Sequence, residues 1–193
     1  MNFSLEKSIE ILERAPSAYK ELLNGVSDEW SKTNEGGESW SPYDVLGHLI
    51  HGESGDWMNR IEIILSDNPD KNFKPFDRFA QFEESKGKSL KDLLGEFMML
   101  RIMNLEKLKA KNITEADLDK KGIHPVFGEV TLRQLLSTWV VHDLNHLAQV
   151  TRVMAYQYKD NVGPWSEYLR ILKKKKKKVF ATYKLEVKKT GFT

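Results

Sequence analysis

The chain of 193 residues contains no cysteine. Disulfide bonds, thiolate metal sites and a cysteine nucleophile are therefore excluded, and any thiol chemistry requires a thiol supplied from outside. Long apolar runs are also missing, since no stretch approaches the ~20 residues that a helix needs to span a bilayer. The first residues, Met1 to Lys7, lack the basic-then-apolar pattern of a signal peptide. We therefore expect a soluble, cytoplasmic protein without a membrane partner.

Most of the chain has no excess of basic over acidic residues, although the formal net charge is +2. Residues 173–193 contain nine Lys and one acid, which gives this segment a charge of +8. Residues 1–172 contain 21 basic and 27 acidic residues, which gives −6 and offers no basic face to nucleic acid. Six consecutive Lys resist helix formation by mutual repulsion. We predict one domain over 1–172 and a flexible tail over 173–193, which is either a dispensable extension or a contact for an acidic surface or nucleic acid.

Apolar residues recur at helical spacing in five segments, and no strand pattern or internal repeat competes with them. The segments extend over about 4–23, 41–66, 89–110, 131–158 and 164–172. Pro16 is expected to kink or divide the first helix. Capping signals at Ser41, Ser89 and Thr131 begin the second, third and fourth helices. The pattern predicts an all-α bundle with a short C-terminal helix.

Two long connections interrupt this helical pattern, at residues 67–88 and 111–130. Antiparallel helices need only a few residues between them. The length of the first connection therefore indicates a crossover that lets the second and third helices run parallel. Its aromatic residues between Phe73 and Phe82 are also too apolar for a free loop, and this favours an interface between two copies of the chain.

Three histidines carry the clearest chemical signal. His142 and His146 stand four residues apart, so that both imidazoles lie on one face of a helix. His48 lies in the second predicted helix and can supply a third ligand. Imidazole binds divalent metals well, and three His with one open position are typical of a catalytic zinc-type site. The alternative is that these histidines are packed in the core or lie on the helix surface.

Several neighbouring side chains are candidates for lining a pocket beside such a metal or for hydrogen-bonding to its ligands. His51 lies one turn from His48 and is predicted to line the pocket mouth, to be solvated, or to act as a fourth ligand. His124 lies in a loop, where it can contact substrate or ligate. Asp143 either makes a buried hydrogen bond between helices or orients a ligating His. Gln149 either touches the pocket or is a surface amide.

Other conspicuous residues have structural interpretations. The carboxylates of the second helix, Glu53 and Asp56, are interpreted as surface charges rather than bases. Trp57, Trp139 and Trp165 are interpreted as core or packing residues. Three glycines in the second helix lower its helix propensity and indicate close approach of another helix or room for a ligand. They are Gly47, Gly52 and Gly55.

The chain resembles the DinB-like superfamily, and its DinB/YfiT-like branch in particular. The resemblance covers about 1–172 and rests on Trp40-Ser41-Pro42…His48-Leu49 and on the run from Leu135 to Gln149 that contains His-Asp-Leu-Asn-His. It implies a four-helix bundle of up-down-down-up topology, a divalent metal on His48, His142 and His146, and a homodimer. Relatives of this kind include transferases and an isomerase that depend on bacillithiol or mycothiol.

Two functional hypotheses follow. The first is a metal-dependent enzyme that acts on a small molecule, with Zn²⁺ as the first choice of metal and Ni²⁺, Fe²⁺ or Mn²⁺ as alternatives. The metal would activate either a low-molecular-weight thiol for S-transfer or a water for hydrolysis. The second is a non-catalytic metal-binding or stress-response module that acts through dimerisation.

Overall fold

The computed structural model describes residues 2–173, so the predicted Lys-rich tail lies outside the described residues except for Lys173. Seven α-helices and two β-strands follow one another along this part of the chain. They are α1 (Leu5–Leu23), α2 (Asp28–Lys32), α3 (Pro42–Gly55), α4 (Trp57–Leu65), α5 (Gln81–Glu84), α6 (Leu90–Ala110), β1 (Lys121–His124), β2 (Gly128–Thr131) and α7 (Leu132–Tyr156). Within residues 2–173, no helix is both long enough and apolar enough to cross a membrane.

Four long elements form the bundle: α1, the α3–α4 pair, α6 and α7. Helices α1 and α3 each pack against both α6 and α7. The Tyr43 hydroxyl donates to the Lys88 carbonyl just before α6, while Glu53, farther along α3, accepts from Arg101, farther along α6. Helices α3 and α6 therefore run parallel. This confirms the four-helix bundle and the crossover that the length of the connection predicts.

The interior of the bundle consists of two apolar clusters with a polar layer between them. One cluster includes Leu12, Leu105 and Leu136, and the other includes Leu46 and Phe97. Between the two levels lie four side chains that are at most 5 % exposed and joined by hydrogen bonds. They are Glu53, Arg101, Asn104 and Asp143. The polar layer therefore fixes the positions of α3, α6 and α7 relative to one another along the bundle.

Of the two effects predicted for Pro16, a kink or a division of the first helix, the division is wrong, because α1 continues through Pro16. Proline has no N–H to donate to the carbonyl four residues earlier, which belongs to Leu12. The Arg101 guanidinium donates to that carbonyl instead, over 2.8 Å from its Nη1. The vacated backbone acceptor is thus satisfied by a side chain 89 positions away.

Two other helix predictions need correction. The second predicted helix is divided at Asp56 into α3 and α4. The short C-terminal helix is replaced by two 3₁₀ turns, Gly163–Glu167 and Arg170–Leu172. Trp165, in the first of these turns, is 69 % exposed, so of the two predicted roles, core or packing, the core role is wrong.

The absence of strands was also predicted wrongly, because β1 and β2 form an antiparallel hairpin within the second long connection. The Phe73 amide donates to the Ile123 carbonyl, so the first long connection pairs with the outer side of β1. Phe73 itself is buried, whereas Phe79 and Phe82 are exposed. The apolar character of the first connection is therefore partly explained by the fold, and the homodimer stays a prediction.

The contact between Gly122 and Phe73 gives a test of this packing. A Cβ at Gly122 would lie 2.3 Å from Cζ of the buried Phe73 ring. We expect Gly122→Ala to lower the free energy of unfolding by about 1–3 kcal/mol through overpacking. Gly95→Ala is the matched control, because Gly95 lies inside α6 with open space around it. The control is expected to stabilise by about 0.5–1 kcal/mol. Equal urea midpoints for wild type and Gly122→Ala would contradict the packing.

Candidate metal centre

Two helices bring the three predicted ligands together. A capping box of Ser41 and Asp44 begins α3 and places His48 on its inner face. A second capping box begins α7 at Thr131, and His142 and His146 follow one turn apart on that helix. The ligand nitrogens of the three histidines lie within 4.8 Å of one another. The structure therefore unites the three residues selected by sequence spacing.

Burial keeps all three imidazoles neutral. It lowers the pKa of His48 to about 3 and that of His142 to about 2, with smaller contributions from the neighbouring charges. It also lowers the pKa of His146. A neutral imidazole has a free lone pair, so these side chains need not lose a proton to bind a metal at neutral pH.

The spacing of the nitrogens fits a single small cation. Nε2 of His48 and Nε2 of His142 lie 3.1 Å apart. Two nitrogens that each lie about 2.0–2.1 Å from one tetrahedral zinc would be separated by roughly 3.3 Å. The third ligand is oriented as such a site requires, because Nδ1 of His146 lies 2.9 Å from Oε1 of Gln149 and its Nε2 is left free. The donor set of three neutral nitrogens therefore fits a divalent metal.

Aromatic rings pack against all three histidines. Trp40 stacks on His146 with its ring at 16° and also packs on His48. Trp57 meets His142 edge to face, and Phe76 meets His48 in the same way. Trp57 is also stacked on the buried Trp139, as expected of core residues. These rings fix the imidazoles and limit the access of water.

A cavity of about 230 Å³ lies beside the histidines. Two of the three, His48 and His142, contribute to its wall. The remaining lining residues come from α3, α4, the first long connection and the β-hairpin. They are Gly52, Asp56, Trp57, Arg60, Phe76 and His124. A small molecule in this cavity would therefore be next to the histidine cluster.

The other two histidines lie outside the cluster. Nδ1 of His51 pairs with Oε2 of Glu84 over 2.8 Å, so His51 is engaged at the surface of α3. His124 lines the cavity from the end of β1, as the loop prediction allowed. Its Nδ1 accepts hydrogen bonds from the backbone N–H groups of Val126 and Phe127.

Asp143 and Glu53 belong to the polar layer of the core. Both oxygens of Asp143 accept hydrogen bonds from Arg101, and Asp143 makes no hydrogen bond to a histidine among residues 2–173. The buried interhelical role is therefore the one the geometry favours. Glu53 is 3 % exposed and accepts from Arg101, Asn104 and the Trp139 indole, so its interpretation as a surface charge is wrong.

Asp56 was also misinterpreted as a surface charge. It lies in the cavity wall and pairs with Nε of Arg60 over 2.7 Å. Burial raises the pKa of Asp56 to about 6, against the opposing charge of Arg60. Sequence reasoning missed Arg60 as a cavity residue, although its spacing of four residues from Asp56 on a helix was a usable signal.

The glycines of the second predicted helix reflect two kinds of close contact. A Cβ at Gly47 would lie 2.4 Å from Oγ of Ser85, so α3 approaches the end of α5 closely there. Gly52 lies against the Trp57 indole and borders the cavity. Gly55 has open space around it. Close packing of another helix therefore explains Gly47, and room for a ligand beside Gly52 stays a prediction.

Comparisons with known proteins agree with this architecture. Residues 11–150 match the DinB superfamily. The chain is 23% identical over 150 residues to the Bacillus subtilis protein named "Putative metal-dependent hydrolase YfiT", covering 77% of this chain and 83% of that relative. It is 29% identical over 143 residues to the uncharacterised Bacillus subtilis protein YuaE, covering 68% and 87%.

Solved structures show the same fold. The structure of Bacillus subtilis YfiT, described as having an unusual four-helix bundle topology, matches with a TM-score of 0.67 at 20% identity and covers 84% of this chain and 91% of that one. The four-helix bundle protein TT2238 matches with a TM-score of 0.52 at 17% identity, covering 77% and 98%. With more than half of its length matched by the family and a shared bundle, this chain belongs to the DinB superfamily.

Proposed function

We propose that this protein is a metal-dependent hydrolase of small molecules. The observation that carries the proposal is a cluster of three neutral histidines, two of which, His48 and His142, line a small cavity. His48, His142 and His146 would hold the metal, with Zn²⁺ first and Ni²⁺, Fe²⁺ or Mn²⁺ as alternatives. A divalent metal bound there would supply Lewis acidity and lower the pKa of a coordinated water.

The chain's own residues would prepare the cavity for this chemistry. Trp57 and Phe76 provide an apolar wall that excludes bulk water from the reacting centre. Gln149 fixes the ring of His146 through its Nδ1. Asp56 is the carboxylate in the cavity wall, and its raised pKa of about 6 lets it accept a proton near neutral pH.

A substrate screen tests the proposal. Tag-free, zinc-loaded protein is incubated with chromogenic esters, amides and phosphoesters, with and without a chelator. We expect hydrolysis that the chelator abolishes and added zinc restores, and that His142→Ala lacks. The same screen includes bacillithiol, coenzyme A and glutathione with electrophiles. Thiol transfer without hydrolysis would mean that the nucleophile is a thiol and not water. Tight metal binding without any turnover would favour the non-catalytic metal-binding module.

The pH profile of hydrolysis tests the role of Asp56. A general base must be deprotonated to act, so kcat/KM is expected to rise with pH across about pH 6, where Asp56 ionises. Asp56→Asn should lower kcat/KM by roughly 10²–10⁴-fold, the range of general-base contributions, and remove this rise. A wild-type profile that is retained in Asp56→Asn would exclude the role.

A further inference from the structure

We propose that Arg60 and His124 form a binding site for a carboxylate group of the substrate. This inference rests on the proposed function, since it names the class of molecule that the cavity beside the histidines accepts. Both residues line that cavity, Arg60 from α4 and His124 from the end of β1.

Arg60 is a buried cation that neighbouring residues hold in place, but its hydrogen-bond donors are not all used. The residue is only 8 % exposed. Its Nε lies 2.7 Å from Oδ1 of Asp56, and its guanidinium lies 5.2 Å from the centre of the Phe73 ring. Within residues 2–173, Nε of Arg60 is a fully buried atom without a hydrogen bond of good geometry, and the two terminal nitrogens, which are not fully buried, make none either. Those two nitrogens are the pair that binds a carboxylate in the bidentate manner.

The contrast with Arg101 shows what a structural arginine looks like in the same fold. The terminal nitrogens of Arg101 donate four hydrogen bonds, to the Leu12 carbonyl, to Glu53 and to both oxygens of Asp143. Buried donors are normally paired in this way. Arg60 differs, because its side chain is mostly buried at the cavity wall while its two solvent-reached terminal nitrogens make no hydrogen bond within residues 2–173 and can donate to a ligand.

His124 supplies a second donor of fixed orientation. Its Nδ1 accepts from two backbone N–H groups, over 3.1 Å from Val126 and 3.2 Å from Phe127. Burial lowers the pKa of His124, and the nearby charge of Arg60 lowers it further, so the ring is neutral. A neutral imidazole whose Nδ1 accepts carries its proton on Nε2. The ring is also stacked on Phe127, with centroids 4.5 Å apart.

The charge of the site favours a carboxylate over a phosphate. The positive charge of Arg60 is partly offset by Asp56, so a singly charged anion is balanced better than a dianion. The cavity of about 230 Å³ also admits only a small substrate. A carboxylate on Arg60 and His124 would direct the rest of that substrate towards His48 and His142, which share the cavity wall.

The test compares matched substrates and two variants. Aryl hemisuccinate carries a free carboxylate, and its methyl ester is the neutral counterpart. We expect the wild type to hydrolyse the hemisuccinate with a higher kcat/KM than the methyl ester. Arg60→Gln should reduce that preference by about 10–100-fold through a higher KM for the hemisuccinate. His124→Ala should lose part of it, and Arg133→Gln, which changes a partly exposed arginine elsewhere, should lose none. Metal content and circular dichroism confirm that each variant is intact.

Calorimetric binding of succinate, succinamide and inorganic phosphate to the zinc-loaded protein gives a readout independent of turnover. If Arg60→Gln and His124→Ala both weaken succinate binding, the carboxylate site is supported. This holds even if no substrate is hydrolysed, because the lack of hydrolysis would refute only the proposed function. Equal kcat/KM for the hemisuccinate and its methyl ester, with succinate binding no tighter than succinamide, would overturn the inference. The proposed hydrolase function would stand. Tighter binding of phosphate than of succinate overturns the choice of carboxylate. If Arg60→Gln does not fold, unchanged selectivity in His124→Ala overturns the shared site.

Discussion

Replacing Arg101 with methionine is expected to destabilise the protein by about 3–5 kcal/mol, the cost of breaking a buried ion pair by removing one partner. Arg101 is 1 % exposed and lies between two buried carboxylates, Glu53 and Asp143. Those carboxylates raise the pKa of Arg101 against the opposing effect of burial, so it remains charged. Without it, two acids would face each other in the core without a counter-ion. A loss of this size is a large part of the 5–15 kcal/mol by which most domains are stable.

Urea unfolding measures this loss, and two variants make it specific. Arg133→Met removes an arginine that also faces two acids, Glu115 and Asp119, but at the surface. We expect that control to change stability by no more than ~1 kcal/mol. The triple change of Glu53→Gln, Arg101→Met and Asp143→Asn should recover part of the loss, because no charge is left unpaired. A single Arg101→Met as stable as the Arg133 control would show that the polar layer does not hold the helices together.

The tolerance of α1 for proline should depend on Arg101. In wild type, Pro16→Ala restores an N–H that competes for the Leu12 carbonyl already bonded to Arg101. In the Arg101→Met background the same change would supply a donor to a buried carbonyl that has lost its Arg101 partner. Pro16→Ala should therefore be more favourable by about 1 kcal/mol in the second background, which is the usual worth of a hydrogen bond. A double-mutant cycle that shows no coupling would contradict this account.

The continuity of α1 also shows what local sequence reasoning cannot reach. Pro16 was expected to kink or divide the helix, since the residues next to it offer no replacement donor for the Leu12 carbonyl. The replacement donor is Arg101 in α6. The burial of Glu53 has the same origin, since a lone glutamate on a helix is typical of the surface until Arg101 and Asn104 are known to meet it. Both errors concern partners that are distant in sequence.

The parts that could be predicted rest on local periodicity. The capping signals at Ser41, Ser89 and Thr131 each mark a helix start in the structure. The spacing of His142 and His146 places them on one face of α7 because helical periodicity is a local property. The hairpin was missed since strands of four residues are too short to show an alternating pattern. Its Gly128, with φ at 71°, is a local turn signal that was available.

The second large effect is expected for His142→Ala, which should remove most metal binding. Four-ligand structural zinc sites are worth roughly 10–16 kcal/mol, or on the order of 3 kcal/mol per ligand, so losing one ligand should raise the metal Kd by at least about a hundredfold. Competition with a chromophoric chelator on tag-free protein measures this Kd. His51→Ala is the matched control, because His51 is paired with Glu84 outside the cluster. We expect that control to bind metal as wild type does.

Thermal unfolding gives the same answer by a different route, because a ligand that binds only the folded state stabilises it. At a free metal concentration of 100 Kd this amounts to about 2.7 kcal/mol, which corresponds to a rise in Tm of roughly 5–10 °C for a domain of this size. Wild type and His51→Ala should both show the rise, and His142→Ala should not. Gln149→Ala should lie between them, with a Kd weaker by about 10–100-fold, since Gln149 orients His146 without ligating. If His142→Ala retains one metal per chain and the full rise in Tm, the metal is held elsewhere and the three histidines are packing residues.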